Sequence, residues 1–242
     1  MSTTTPVAKA AGWILMTSLL ASCNLRQDDH LEDVLALEPP SVQEEGPTPE
    51  RIEELEAAIE RFREIVDAKV EASRNMAVYY KMLASEYIER QMFGLALDAL
   101  DEAIVIQPEN PSLYYTAGVS AARFGKSQIE TEAALELFNR AEAYYRRCIE
   151  LDPRHADAYY GLAVLYEFEV GRSADAQDTL EELISFDPNN YAALGLLARI
   201  YVGEGRVSDA LDIYEDIIAN AGDPELRSQA VENRRRLLGE VP

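Results

Sequence analysis

Residues 80–108 read YKMLASEYIERQMFGLALDALDEAIVIQP, and residues 194–222 read LGLLARIYVGEGRVSDALDIYEDIIANAG. Set in register, Tyr80 falls on Leu194, Leu83 on Leu197, Ala84 on Ala198, Tyr87 on Tyr201, Ala96 on Ala210, Leu100 on Tyr214 and Pro108 on Gly222. Each half carries its large and small residues at spacings of three and four, the period of one helical face. Small residues let two helices approach, and the large ones fill the space beside them. The same ladder recurs at Tyr114, Ala117, Gly118, Ala121, Ala141, Tyr145 and Pro153, and again at Tyr159, Leu162, Ala163, Tyr166, Ala176, Leu180 and Pro188. Strand-like alternation competes with it nowhere, so the chain is expected to be all-α.

Self-similarity at this period is the mark of a stacked-repeat architecture. The ladder resembles the tetratricopeptide repeat (TPR), a helix-turn-helix unit of about 34 residues. The resemblance implies a right-handed α-solenoid of about four repeats, at residues 77–110, 111–155, 156–190 and 191–224. The second copy holds 11 extra residues between Gly125 and Ala141, and the third holds one near Val170-Gly171-Arg172, read as a loop adjustment. Ser127-Gln128-Ile129-Glu130 has the form of a capping box. A long second helix is therefore expected from Ser127 to about Glu150, projecting beyond its neighbours and leaving Ile129, Leu135 and Phe138 in need of a cover.

Upstream, Thr48-Pro49-Glu50 offers an N-cap, a proline at the first helical position and an acid in the first turn. An N-terminal helix over residues 50–76 follows, with Ile52, Leu55, Ile59, Phe62 and Val66 on one face and the run continuing toward Val70. Downstream, Asp223-Pro224-Glu225 starts a capping helix over residues 225–242, with Leu226, Ala230, Leu237 and Leu238 on one side and Gly239 ending it. Arg234, Arg235 and Arg236 in its last turn complement the helix dipole.

The first 22 residues read as an address. Lys9 precedes an apolar run near a dozen residues long, short of the roughly 20 needed to cross a bilayer. Leu20-Ala21-Ser22-Cys23 resembles the bacterial lipobox, which implies lipidation of Cys23 as the mature N-terminus and a membrane contact made through acyl chains. Residues 23–49 turn acidic and proline-containing and read as a tether with no core of its own. The lipobox implies a bacterial cell-envelope location facing the periplasm. Asn24, where an aspartate would hold some lipoproteins at the inner membrane, points to the outer one.

Composition narrows the function. Among 242 residues, 44 acids stand against 22 bases, for a net charge of −22. Such a chain offers no basic stripe for phosphates, and no nucleic-acid partner is expected. With 2 histidines, 2 cysteines and 12 glycines, metal clusters and phosphate loops lack raw material. His30 and His155 read as solvated, Cys148 as a buried thiol, and Glu53-Glu54 and Glu181-Glu182 as solvated helix faces. No catalytic residue, metal site or cofactor is expected, so the chain is read as a non-enzyme.

The repeat resemblance places a partner-binding groove on the first helix of each unit. Carried over residue by residue, it comprises Val78, Lys81 and Ser85; Ser112, Tyr115 and Val119; Asp157, Tyr160 and Val164; and Ala192, Gly195 and Arg199, with Met82 and Phe168 nearby. Only Lys81 and Arg199 are cationic there, so a clamp for a terminal carboxylate is not supported. The mixed apolar face fits an extended peptide segment or an amphipathic helix. The function read from these features is a membrane-anchored protein-protein interaction scaffold or assembly factor. The alternative is a transport accessory lipoprotein that partners a solute-binding protein and binds a small hydrophobic ligand.

Overall fold

The computed structural model describes residues 48–239. The leader, Cys23 and nearly all of the tether lie outside the described residues. The helices are α1 (Pro49–Glu89), α2 (Phe93–Ile106), α3 (Pro111–Lys126), α4 (Thr131–Leu151), α5 (Ala156–Val164, prolonged by a π-helical turn Leu165–Val170), α6 (Ser173–Phe186), α7 (Tyr191–Gly203), α8 (Val207–Asn220) and α9 (Pro224–Leu237). Among the described residues there is no strand. The fold is the all-α, TPR-type repeat fold.

The chain divides into two units at Glu60. Of the first, the described part is the opening of α1. Thr48 Oγ1 accepts the Arg51 N–H at 3.3 Å, and Pro49 takes the position where no donor is needed. Ile52, Leu55 and Ile59 are 44%, 37% and 58% exposed.

In the second unit, α1 runs on without a break at residue 76 into the first helix of the first repeat. Consecutive helices then pack as antiparallel neighbours from α2 to α9. Turns between repeats are closed by side chains that accept orphan N–H groups at helix starts. Asn110 accepts from Ser112, His155 Nδ1 from Ala158, Asn190 from Ala193 and Asp223 from Glu225. His155, read as solvated, is thus the N-cap of α5.

The small ladder residues Ala84, Ala96, Ala117, Ala121, Ala141, Ala163, Ala176, Ala198 and Ala210 are fully buried. Leu100, Tyr145, Tyr159, Tyr166, Leu180 and Tyr214 fill the spaces between them. Leu83 departs from the pattern at 43% exposed. At the far end Ala230 of α9 is buried in a cluster with Leu194, Tyr214 and Ile217, while Leu238 faces solvent.

Tyr145 is gripped from two sides. A Cβ on Gly118 of α3 would stand 2.8 Å from its ring, and one on Gly161 of α5 would stand 2.9 Å from it. Two first helices therefore lean on one ring from the second helix between them.

Two insertions differ from their sequence reading. Helix α4 begins at Thr131, not at Ser127. The Ser127 hydroxyl donates to the Phe124 carbonyl at 2.7 Å, so it finishes α3 and is not available to start α4. The 11 added residues thus lengthen both helices of the repeat. Phe138 is buried against Gly125, whose Cβ would meet its ring at 2.7 Å, so α3 itself covers it. Ile129, at 99% exposure, and Leu135 stay uncovered.

The single extra residue of the third repeat sits inside the helix and not in the loop. It is absorbed by the π-helical turn, which Gly171 ends at φ +70°. Tyr166 anchors that turn: its hydroxyl donates to Glu142 at 2.8 Å, Arg146 donates to it at 3.0 Å, and Arg172 lies 4.4 Å from its ring centre.

Gly118→Ala and Gly161→Ala are each expected to cost about 1–3 kcal/mol in urea unfolding, because each new Cβ would stand under 3 Å from the Tyr145 ring and force it to shift. Gly195→Ala, whose new Cβ meets nothing nearer than Ile217 at 3.9 Å, should instead gain up to about 1 kcal/mol from helix propensity. Equal losses at all three positions would contradict the wedge.

Candidate interaction groove

The residues carried onto the groove fall on α1, α3, α5 with its π-helical turn, and α7. Lys81 on α1 donates to Ser112 on α3 at 3.5 Å, which joins the first two repeats along this face. Ser85 donates its hydroxyl to the Lys81 carbonyl, one turn back on its own helix. Val78 lies in a separate cleft of about 520 Å³ with Val70, Ile106 and Gln107.

Val119, Tyr160 and Val164 come together. They line a cleft of about 620 Å³ with Phe93, Arg123, Lys126, Tyr145 and Glu169. Its floor is the Tyr145–Gly161 contact, so the packing that holds the repeats together also forms the base of the cleft. One wall is fixed by Lys126, whose ammonium lies 3.0 Å from Glu169 on the π-helical turn.

Phe168 and Arg199 also meet, with the guanidinium 4.8 Å from the ring centre. The added residue in the π-helical turn brings this about: it shifts the helical phase after Leu165, and Phe168 is left 46% exposed beneath Arg199. Glu167 on the same turn has one carboxylate oxygen, Oε2, buried without a hydrogen-bond partner.

Tyr115 does not line the cleft. Its ring is half-buried, 6.3 Å from Tyr145 and 5.1 Å from the His155 imidazole between ring centres. Burial, then the nearby Asp157 charge, pushes its hydroxyl above the ordinary tyrosine range. Burial alone raises Tyr160.

Sequence reasoning missed Phe93, Arg123 and Glu169. Arg123 lies one helical turn beyond Val119, the last position carried over from the repeat ladder on α3. Its guanidinium is 5.6 Å from the Phe93 ring centre, which mirrors Arg199 over Phe168. Charge alone was the available signal, since Arg123 and Lys126 are the two bases of the last turn of α3.

Among the described residues, no group of three or more His, Cys, Asp or Glu side chains could hold a metal ion. Cys148 is buried, and burial followed by the Asp152 charge pushes its thiol up to about 11. It is a thiol and not a thiolate at neutral pH, a poor nucleophile.

A family model described as Tetratricopeptide repeat matches residues 167–230, and two further models with that description match residues 144–178 and 131–155. The chain is 24% identical over 134 residues to anaphase-promoting complex subunit 3 of Schizosaccharomyces pombe, a match that takes in 55% of this chain and 18% of that protein. A thermophilic TPR protein of Thermus thermophilus superposes with a TM-score of 0.57 at 16% identity, covering 75% of this chain and 95% of its own. YrrB, a TPR protein with an unusual peptide-binding site, gives 0.52 at 20% identity, over 75% and 85% of the two chains. These likenesses agree on the repeat fold.

Two outcomes follow from the packing. Tyr159→Ala, at a position buried in the core, is expected to lose about 3 kcal/mol of stability, whereas Tyr160→Ala at the cleft should lose well under half of that. Equal losses would return Tyr160 to the core. The second concerns alkaline pH. Burial, with the Glu182 carboxylate beside it, pushes the Tyr159 hydroxyl from 10.0 to about 12. Between those values the unfolded chain releases a proton that the folded chain keeps, so stability should fall as pH rises from 10 toward 12. Urea midpoints across that range, in wild type and in Tyr159→Phe, measure it; an identical slope in both would contradict the assignment.

Proposed function

We propose that the chain is a lipid-anchored interaction scaffold of the bacterial cell envelope, which binds a segment of a partner protein in the cleft between α3 and α5. The observation that carries the reading is the cleft itself. Three residues expected in a partner groove from the repeat ladder, Val119, Tyr160 and Val164, line one concavity of about 620 Å³. Its apolar walls and charged mouth match what a peptide needs: burial for alternate side chains and polar partners for the rest. YrrB, similar in fold, has a peptide-binding site of its own.

Anchoring rests on Leu20-Ala21-Ser22-Cys23. No helix among the described residues is long and apolar enough to cross a membrane. Acyl chains on Cys23 would supply the attachment, at roughly 0.8 kcal/mol for each buried methylene. Exchanging Cys23 for serine should therefore move the protein from the membrane to the soluble fraction. Retention of Cys23→Ser on membranes washed in high salt would overturn the anchor.

The partner is tested in the native cell. A photo-crosslinking amino acid at Val164 should give a discrete adduct with one protein, and the same group at the exposed Asp212 on α8 should not. Adducts of equal yield from both positions would overturn the groove reading. A small molecule that co-purifies with the chain and is lost in Val164→Glu would favour the transport reading instead.

A further inference from the structure

We infer that the groove selects an internal acidic segment, with carboxylates on either side of an apolar centre, and that Arg123 and Arg199 are the residues that read those carboxylates. The inference rests on the groove reading above and specifies the partner's chemistry.

Acids outnumber bases two to one, and although Lys69, Arg74, Arg227 and Arg235 have no ion pair among the described residues, several bases find a carboxylate. Arg140, Arg146, Arg147, Arg172 and Arg206 each do, at distances between 2.5 and 3.0 Å. Arg154 donates to the Phe186 carbonyl. Arg123 and Arg199 have neither a carboxylate nor a hydrogen-bond acceptor among the described residues. Each is stacked over a phenylalanine, Phe93 and Phe168, which holds the guanidinium in place while leaving its N–H donors open.

A guanidinium fixed on a ring with free donors is prepared for a planar, two-oxygen acceptor. Both lie on first helices, Arg123 on the cleft wall and Arg199 over the π-helical turn beside it. Neighbouring helix axes pack about 8–10 Å apart, so α3 and α7, with α5 between them, stand roughly 20 Å apart. An extended segment covers that span in about six residues at 3.3 Å each. The stretch between its carboxylates would cross Val119, Tyr160 and Val164, which demands apolar side chains.

The acids near the groove are accounted for. Glu169 is held by Lys126, and Asp157 lies on the Tyr115 side. The net negative field of the protein slows the approach of such a segment but is screened beyond about 8 Å at physiological salt, whereas the contacts at Arg123 and Arg199 are direct.

The test is selection of random twelve-residue peptides displayed on phage against the full chain, with Val164→Glu as the counter-target. Peptides dependent on Val164 are expected to carry Asp or Glu about six residues apart around an apolar centre. A labelled, acetylated and amidated representative should bind Arg123→Gln and Arg199→Gln at least tenfold more weakly than wild type, with thermal unfolding of both variants unchanged. Its Glu→Gln form should bind all three proteins alike. Enrichment of peptides without acids would overturn this inference and leave the groove reading standing. Absence of any Val164-dependent enrichment would overturn both. Tighter binding by a peptide of residues 28–38, with affinity rising when residues 24–47 are deleted, would assign the site to the chain's own tether and overturn the external partner.

Discussion

The close approach of α3 and α5 to the ring of Tyr145 is the contact on which the rest of the second unit depends. Glycine at 118 and 161 lets both helices reach the ring, where any Cβ would collide with it. One side chain thereby sets the spacing of two repeats, and that spacing is the width of the cleft. The groove is formed by the packing of the repeats themselves, not by a loop laid over a finished scaffold.

Two polar devices then fix the shape of the cleft. The Tyr166 network of Glu142, Arg146 and Arg172 ties the π-helical turn to α4. The Lys126–Glu169 pair ties the same turn to the end of α3. These pairs are partly exposed and contribute little stability one by one, but they determine which way Phe168 and Glu169 face. A π-helical turn departs from the preferred α-helical hydrogen bonding, and such turns recur at functional sites. Here its effect is to place an exposed ring under Arg199 at the groove.

Most of the fold was legible in the sequence because large and small residues alternate at fixed spacings, and those spacings are a direct image of helix contact. The same ladder could not reveal where an insertion is absorbed. One extra residue fits a loop or a helix equally well, and only the competing hydrogen bonds of Tyr166 and Arg172 settle it. Ser127 had the pattern of a helix start, yet its hydroxyl is taken by the preceding helix. That Val119, Tyr160 and Val164 come together was legible because they share one face of the first helices, and the structure gathers them in one cleft. Arg123 was not, because it lies one turn beyond the positions that the repeat ladder carries over. Tyr115 shares that face but turns toward Tyr145 and His155, a choice made by the rings around it.

The central claim is that partners meet this protein on the first-helix face. Hydrogen exchange of the full chain, with and without the partner captured at Val164, tests it directly. The account predicts slowed exchange in the last turns of α3 and in α5 through the π-helical turn, with α6 and α8 unchanged. Protection confined to α4, α6 or α8, with α5 exchanging as in the free chain, would contradict it.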